Sequence, residues 1–335
     1  MIQSPPPLRP RLSVVAPCYN EEESLAAFAA RMTAACEGVV GQAYELVLVN
    51  DGSRDRTWAI IQAISEQYPA VVGVNLSRNH GHQLAVTAGL SLTSGERVLI
   101  IDADLQDPPE LLPQMMARMD EGYDVVYGRR TQRAKESAFK KLTAGLFYRT
   151  LKSLSETDIP LDTGDFRLMS RRIVDRLNAM PERDRFIRGM VAWLGGKQTE
   201  IAYDREPRFA GQTHYTLGKM LHLATDGLAS FSTAPLKLAT LLAIIGMAMA
   251  GLLALYAVYG FLFGHAARGW TSLALMVVGF ATAQLACLGI FGAYLGRMYM
   301  QTKGRPLFLI DEVVSRRPHP VLSVPEDAAG EARGG

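Results

Sequence analysis

Residues 238–263 and 271–295 each run without a single Asp, Glu, Lys or Arg. Each run exceeds the ~20 residues that an α-helix needs to cross a bilayer. One such run fits a buried core helix equally well; two in tandem, joined by a short connector, predict a hairpin of two spans. Basic residues favour the far ends: Lys219 and Lys237 before the hairpin, then Arg297, Lys303, Arg305, Arg316 and Arg317 after it. Both termini, and any domain ahead of the hairpin, are therefore expected on the cytoplasmic side. The chain divides accordingly. A proline-rich lead-in at 1–10 lacks the apolar core of a signal peptide. A large domain occupies 11–215, an interfacial segment 216–236, and the hairpin 237–298. A segment at 299–322 holds a strand over 306–314, read as one for subunit pairing, and a small polar tail at 323–335 reads as disordered.

The large domain alternates strands with helices. Strands are expected at 12–17, 44–50, 71–76, 98–101 and 125–130, with helices near 22–36, 56–67 and 81–92 between the first four. Such alternation predicts a parallel sheet covered on both faces, with ligands at the carboxyl ends of its strands. Beyond it, 161–169 reads as a polar loop entering a strand, 183–194 as mostly helical and 197–203 as a further strand. Residues 133–152 are basic with apolar residues at helical spacing. This is either an ordinary amphipathic surface helix or one lying on a membrane with Lys140, Lys141, Arg149 and Lys152 near phosphates. A formal net charge of +2 gives no reason to expect nucleic acid, and three cysteines without metal spacing or an even count fit a reducing compartment.

Chemistry concentrates at three strand ends: Tyr19-Asn20-Glu21, Asn50-Asp51-Gly52-Ser53 and Asp102-Ala103-Asp104. On an extended chain Asp102 and Asp104 project to one side, where two carboxylates would seat Mg²⁺ or Mn²⁺ and leave positions open for a substrate phosphate. An isolated pair of this kind is more commonly a solvated acidic turn; the coincidence of three polar strand ends favours a site. His80 and His82, near a helix start, read as polar caps rather than ligand contacts. Gln284 within the second run either joins helices by a hydrogen bond or simply faces a neighbour, and Gly289, Gly292 and Gly296 suggest close helix contact and hence oligomerisation.

Taken together, these segments resemble family-2 glycosyltransferases of the GT-A fold. The closer likeness is to the polyprenyl-phosphate glycosyltransferases, which include dolichyl-phosphate mannose synthases and bactoprenol glucosyltransferases. The residues that carry it are 15–22, 49–53, 77–81, 102–108, 164–169 and 230–232, spread over nearly all of 12–314. The resemblance implies an α/β, Rossmann-like nucleotide-sugar-binding domain followed by a two-helix transmembrane hairpin. It implies that Pro17, Tyr19 and Glu21 border the base and ribose, that Val49 and Asp51 line the same site with Asp51 holding the base or ribose, and that Asp102, Ala103, Asp104 and Gln106 hold the diphosphate. Asp102, Asp104 and Gln106 would bind the metal, Mg²⁺ or Mn²⁺. Arg129 or Arg130, Lys140 and Lys141 would face phosphate, and Arg208 would lie on a loop closing over it. Asp165 falls on a catalytic or acceptor-orienting carboxylate. His214 stands where relatives commonly carry lysine, leaving Lys219 as the alternative clamp.

The activity so implied is inverting transfer of one sugar, glucose from UDP-glucose, to polyprenyl (undecaprenyl) phosphate at the cytoplasmic face of the inner membrane by a homo-oligomer, a tetramer by family analogy. GDP-mannose, UDP-N-acetylhexosamine and a modified arabinose donor are the alternatives. A processive polysaccharide synthase would carry a Gln-x-x-Arg-Trp motif and more spans, and neither is present in this sequence. A non-catalytic membrane scaffold would not need Asp102, Asp104 and Gln106 together.

Overall fold

The computed structural model describes residues 10–131, 163–204 and 270–317, with part of 239–263. Lys140, Lys141, Arg208, His214, the basic stretch at 133–152 and the tail lie outside the described residues. The chain forms two compact units, one built on the sheet and one on the apolar helices.

The sheet unit holds β1 (Leu12–Cys18), β2 (Tyr44–Asn50), β3 (Val71–Leu76), β4 (Arg97–Ile100), β5 (Val125–Arg130), β6 (Thr163–Ser170), β7 (Gln198–Tyr203) and β8 (Ile310–Ser315). Helices α1 (Leu25–Val40), α2 (Thr57–Gln67), α3 (His82–Ser91), α4 (Leu112–Asp120), α5 (Arg171–Ala179) and α6 (Ile187–Leu194) connect them. The strand order is β7-β5-β6-β4-β1-β2-β3-β8. Strands β1 and β2 are buried along their whole length, as apolar runs between two helical layers must be. One layer packs Leu25, Phe28 and Met32 of α1 under the sheet; the other packs Ala85, Val86 and Ala88 of α3 over Val15, Val47 and Val49. Gly89 lets α3 come that close, since a Cβ there would stand 2.4 Å from Val15 Cγ1.

Two strands correct the expectation of a purely parallel sheet. β6 runs antiparallel to both β4 and β5. β8, read from sequence as a strand for subunit pairing, instead lies antiparallel on β3 of its own chain, with Val314 opposite Gly73 and Val313 opposite Val74. The helix expected over 183–194 covers only Ile187–Leu194, and α4 and α5 had no counterpart in the sequence reading.

The second unit contains α7 (Trp270–Thr302), of which Gly279–Thr302 is the one helix, among the described residues, long and apolar enough to cross a membrane. Leu285, Leu288, Phe291 and Leu295 on it are all exposed. The residues described between 239 and 262 are helical as well. Cys287 Sγ lies 3.5 Å from the Ala239 carbonyl, and a Cβ on Gly246 would meet the Phe280 ring at 3.5 Å. Seven residues forward on one segment match seven residues back on the other, which is the register of antiparallel helices. Gly289, Gly292 and Gly296 meet nothing within 4 Å, so the close contact expected of them is not made within the described chain.

Candidate active site

The carboxyl ends of β1, β2 and β4 share one edge of the sheet. The loops after β1 and β2 are laced together there. Asn20 N–H donates to Ser53 Oγ (3.0 Å), Arg54 N–H to Asn20 Oδ1 (2.9 Å) and Glu21 N–H to Thr57 Oγ1 (2.8 Å). Asn20 takes a left-handed backbone (φ 56°), which asparagine tolerates better than most residues. Tyr19 is left exposed, and Ser24 Oγ donates to Glu21 Oε2 at 2.6 Å. Pro17 and Val49 are buried within their strands. The two oxygens of Asp51 accept the backbone N–H groups of His80 (2.7 Å) and Gly81 (2.9 Å), tying the β2 loop to the β3–α3 loop; burial outweighs these bonds and raises its carboxyl above the usual range. Asp51, expected to hold the base or ribose, thus accepts one backbone hydrogen bond at each oxygen. Beside it opens a cavity of about 310 Å³ whose lining includes Gly52, Trp58, Arg78 and, from β8, Asp311.

Strand β4 stops at Ile100, so Asp102 and Asp104 occupy the turn after it rather than an extended stretch. Leu105 adopts φ 60°, a left-handed conformation that costs a residue with a Cβ roughly 1–2 kcal/mol. Burial of its side chain in the core holds it there. The turn lets Asp104 Oδ1 accept the Gln106 N–H (3.1 Å). Ala103 is buried beneath. Asp102 Oδ1 is buried with no hydrogen-bond partner. Burial, opposed by the charge of His82 and aided by those of Asp165, Asp107 and Asp104, pushes the Asp102 carboxyl up to about 6. Among the described residues, no three His, Cys, Asp or Glu side chains stand ready as a metal cage.

Of the two expected arginines, Arg129 pairs at the surface with Glu200 (3.2 Å), whereas Arg130 turns the other way. Its Nε donates to Tyr203 Oη (3.3 Å), its Nη2 lies 3.6 Å from the fully buried Asp107, and Tyr203 donates its hydroxyl hydrogen to Asp107. Gly164 makes room for it: a Cβ there would sit 2.8 Å from Arg130 Nη2.

Antiparallel β6 completes the edge. Ile100 pairs with Arg167, and continuing that register by two residues sets Asp165 opposite Asp102. Asp165 is buried, and cationic and amide donors surround it. Arg188 Nε donates to Oδ1 (2.8 Å); Gln83 Nε2 (3.0 Å) and Arg188 Nη2 (3.3 Å) donate to Oδ2. His82 Nε2 lies 3.1 Å from Asp165 Oδ2 and 3.6 Å from Asp102 Oδ1, bridging the two carboxylates. Arg167, also buried, stands 3.9 Å from Asp165, and burial lowers its guanidinium to about 10. Burial alone would raise the Asp165 carboxyl, but the His82 hydrogen bond and the charges of Arg188 and Arg167 hold it well below the usual range. His82, read from sequence as a cap, belongs to this cluster; the helix start is capped by no side chain.

A pH dependence follows. A carboxylate whose folded-state pKa is depressed contributes stability that is present above its unfolded value, about 3.9, and lost as pH falls through the lower folded value. Thermal melts of wild type and Asp165→Asn are therefore expected to stay apart from neutral pH down to about 4, then converge. Convergence already near pH 6 would contradict the assignment.

Likeness to known proteins bears on this site. The model for glycosyl transferase family 2 matches residues 13–177. The chain is 44% identical to the uncharacterized glycosyltransferase YkcC of Bacillus subtilis, over 90% of this chain and 93% of that one. It is 37% identical to the prophage bactoprenol glucosyl transferase homolog of Escherichia coli (90% and 99% covered), and 36% identical to the bactoprenol glucosyl transferase of Shigella phage SfX (90% and 98% covered).

Proposed function

This chain belongs to glycosyl transferase family 2, and from that premise we propose that it transfers one sugar, glucose from UDP-glucose, to a polyprenyl phosphate at the cytoplasmic membrane surface, with inversion at the anomeric carbon. The observation that carries the reading is the meeting of two unlike carboxylates at one strand end, joined by His82. The similarity to bactoprenol glucosyl transferases over nearly their whole length supports the lipid acceptor.

The site's residues fit a hard divalent cation. Asp102 carries a buried oxygen without a hydrogen-bond partner, and its carboxyl is raised first by burial and then by the charges of Asp165, Asp107 and Asp104, which a cation would offset. Asp102, Asp104 and Gln106 would hold Mg²⁺ or Mn²⁺, which supplies Lewis-acid stabilisation of the departing nucleoside diphosphate. Asp165 has a different task. Its oxygens already accept three hydrogen bonds from Gln83 and Arg188, and its proton affinity is low. It therefore makes a poor base, and the acceptor phosphate, already anionic, needs none. We assign it to orienting His82 and Arg188 at the mouth of the site.

The topology supports an even number of membrane crossings. β8 follows α7 in sequence yet pairs with β3 in the same sheet as β7. A segment on one side of a bilayer cannot pair with a strand on the other. If α7 crosses, a second crossing must lie between residues 204 and 269, where the helical residues antiparallel to α7 occur. The basic residues flanking the hairpin favour a cytoplasmic sheet domain.

The test is transfer of radiolabelled sugar from a panel of nucleotide sugars to undecaprenyl phosphate by the detergent-purified chain with Mn²⁺ or Mg²⁺. One lipid-linked product from UDP-glucose is the expected result. A product from GDP-mannose, UDP-N-acetylhexosamine or the arabinose donor instead would reassign the donor, and none from any would overturn the proposal.

A further inference from the structure

Gln83 has both ends of its amide committed. Its Nε2 donates to Asp165 Oδ2 (3.0 Å), and its Oε1 accepts the backbone N–H of Ile187 (2.9 Å). The orientation follows from the partners, because a carboxylate only accepts and a backbone N–H only donates. Ile187 opens α6, and the first N–H groups of a helix have no partner within it. Phe186, ahead of it, supplies no side-chain cap. Gln83 supplies that acceptor from α3, 104 residues away. The next residue is Arg188, whose Nε reaches the other oxygen of Asp165 (2.8 Å). One side chain thus fastens three elements, α3, β6 and α6, around a single carboxylate.

We propose that Gln83 is a positioning residue for the reaction: it locks the first turn of α6 onto Asp165 and so sets Arg188 and the Asp165 carboxylate relative to His82 and Asp102. The inference rests on the glycosyl-transfer reading above. Gln83 itself need not touch substrate. Its effect passes through groups that stand at the site mouth, where a misplacement of about 1 Å is enough to cost about 10²-fold in rate.

Two variants of the full chain in detergent test this. Gln83→Leu keeps much of the volume and loses both bonds. It is expected to fold, to lose about 10- to 100-fold in kcat with little change in the KM for the nucleotide sugar, and to exchange its amide hydrogens faster in the first turn of α6. Gln83→Glu keeps the acceptor for Ile187 but sets a second carboxylate against Asp165, amid His82, Arg188 and Arg167. Only the protonated form of the new group donates as the amide does. Activity relative to wild type is therefore expected to recover as pH falls, a profile that a purely structural role would not produce.

A folded Gln83→Leu with wild-type kcat would overturn the proposal, as would a Gln83→Glu profile parallel to wild type. If Gln83→Leu does not fold, the Gln83→Glu profile decides. A wild-type protein that transfers no sugar would sink the functional reading instead. The exchange measurement still tests the clamp in that case, and unchanged protection of the α6 first turn in a folded variant overturns it.

Discussion

Asp104→Ala is expected to lower kcat on the order of 10³-fold, the scale seen when a group that stabilises transition-state charge is removed. The loss has two sources. A carboxylate is taken from the set, Asp102, Asp104 and Gln106, assigned to the cation. The Gln106 N–H also loses its acceptor in a turn that holds Leu105 at a positive φ. EDTA should abolish transfer by wild type, and added Mn²⁺ should restore it without rescuing the variant. Transfer by Asp104→Ala at wild-type rate would remove this carboxylate from the chemistry altogether.

Asp165→Asn is expected to lower kcat about 10²-fold or more while leaving the KM for the nucleotide sugar nearly unchanged, because its contacts orient groups rather than bind the donor. The variant also strands charge. Arg167 is buried and Arg188 is 35% exposed, and both lean on this carboxylate. Removing one member of a buried pair costs about 3–5 kcal/mol, and the partial exposure of Arg188 puts the cost here at the lower end. Melting temperature and kcat should therefore be measured on the same preparation. A stable Asp165→Asn protein with near-normal turnover would leave Asp165 without an essential role. Because the wild-type carboxylate stays ionised, the pH profile of kcat should show no ionisation belonging to Asp165 across the neutral range.

Strands β1 to β5 were legible because each contains a run of apolar residues, and their ends fall within a residue or two of the expected places. Strand direction was not legible. The local sequence 164–169 is the same whether β6 runs with β4 or against it, and only the antiparallel choice brings Asp165 back to face Asp102. The partners of Asp165 were hidden for a related reason. Gln83 lies 82 residues before it and Arg188 lies 23 after it, and nothing in either neighbourhood points to the other. Alternation does place Arg167 on the same face as Asp165, and a buried carboxylate beside a buried guanidinium is a cue that sequence reading can use. For His82, a position near a helix start favoured capping, and tertiary contact prevailed.

The last strand carries a consequence for how the protein is made. β3 is the outer member of the parallel core until β8 covers it, and β8 leaves the ribosome only after everything between residues 204 and 309. At translation rates of about 5–20 residues per second, that is a delay of roughly 5–20 s. During it, the sheet that carries the site presents an open edge, the feature most prone to wrong pairing. Synthesis of α7 thereby precedes closure of the sheet, and the unit that carries the candidate site is completed last.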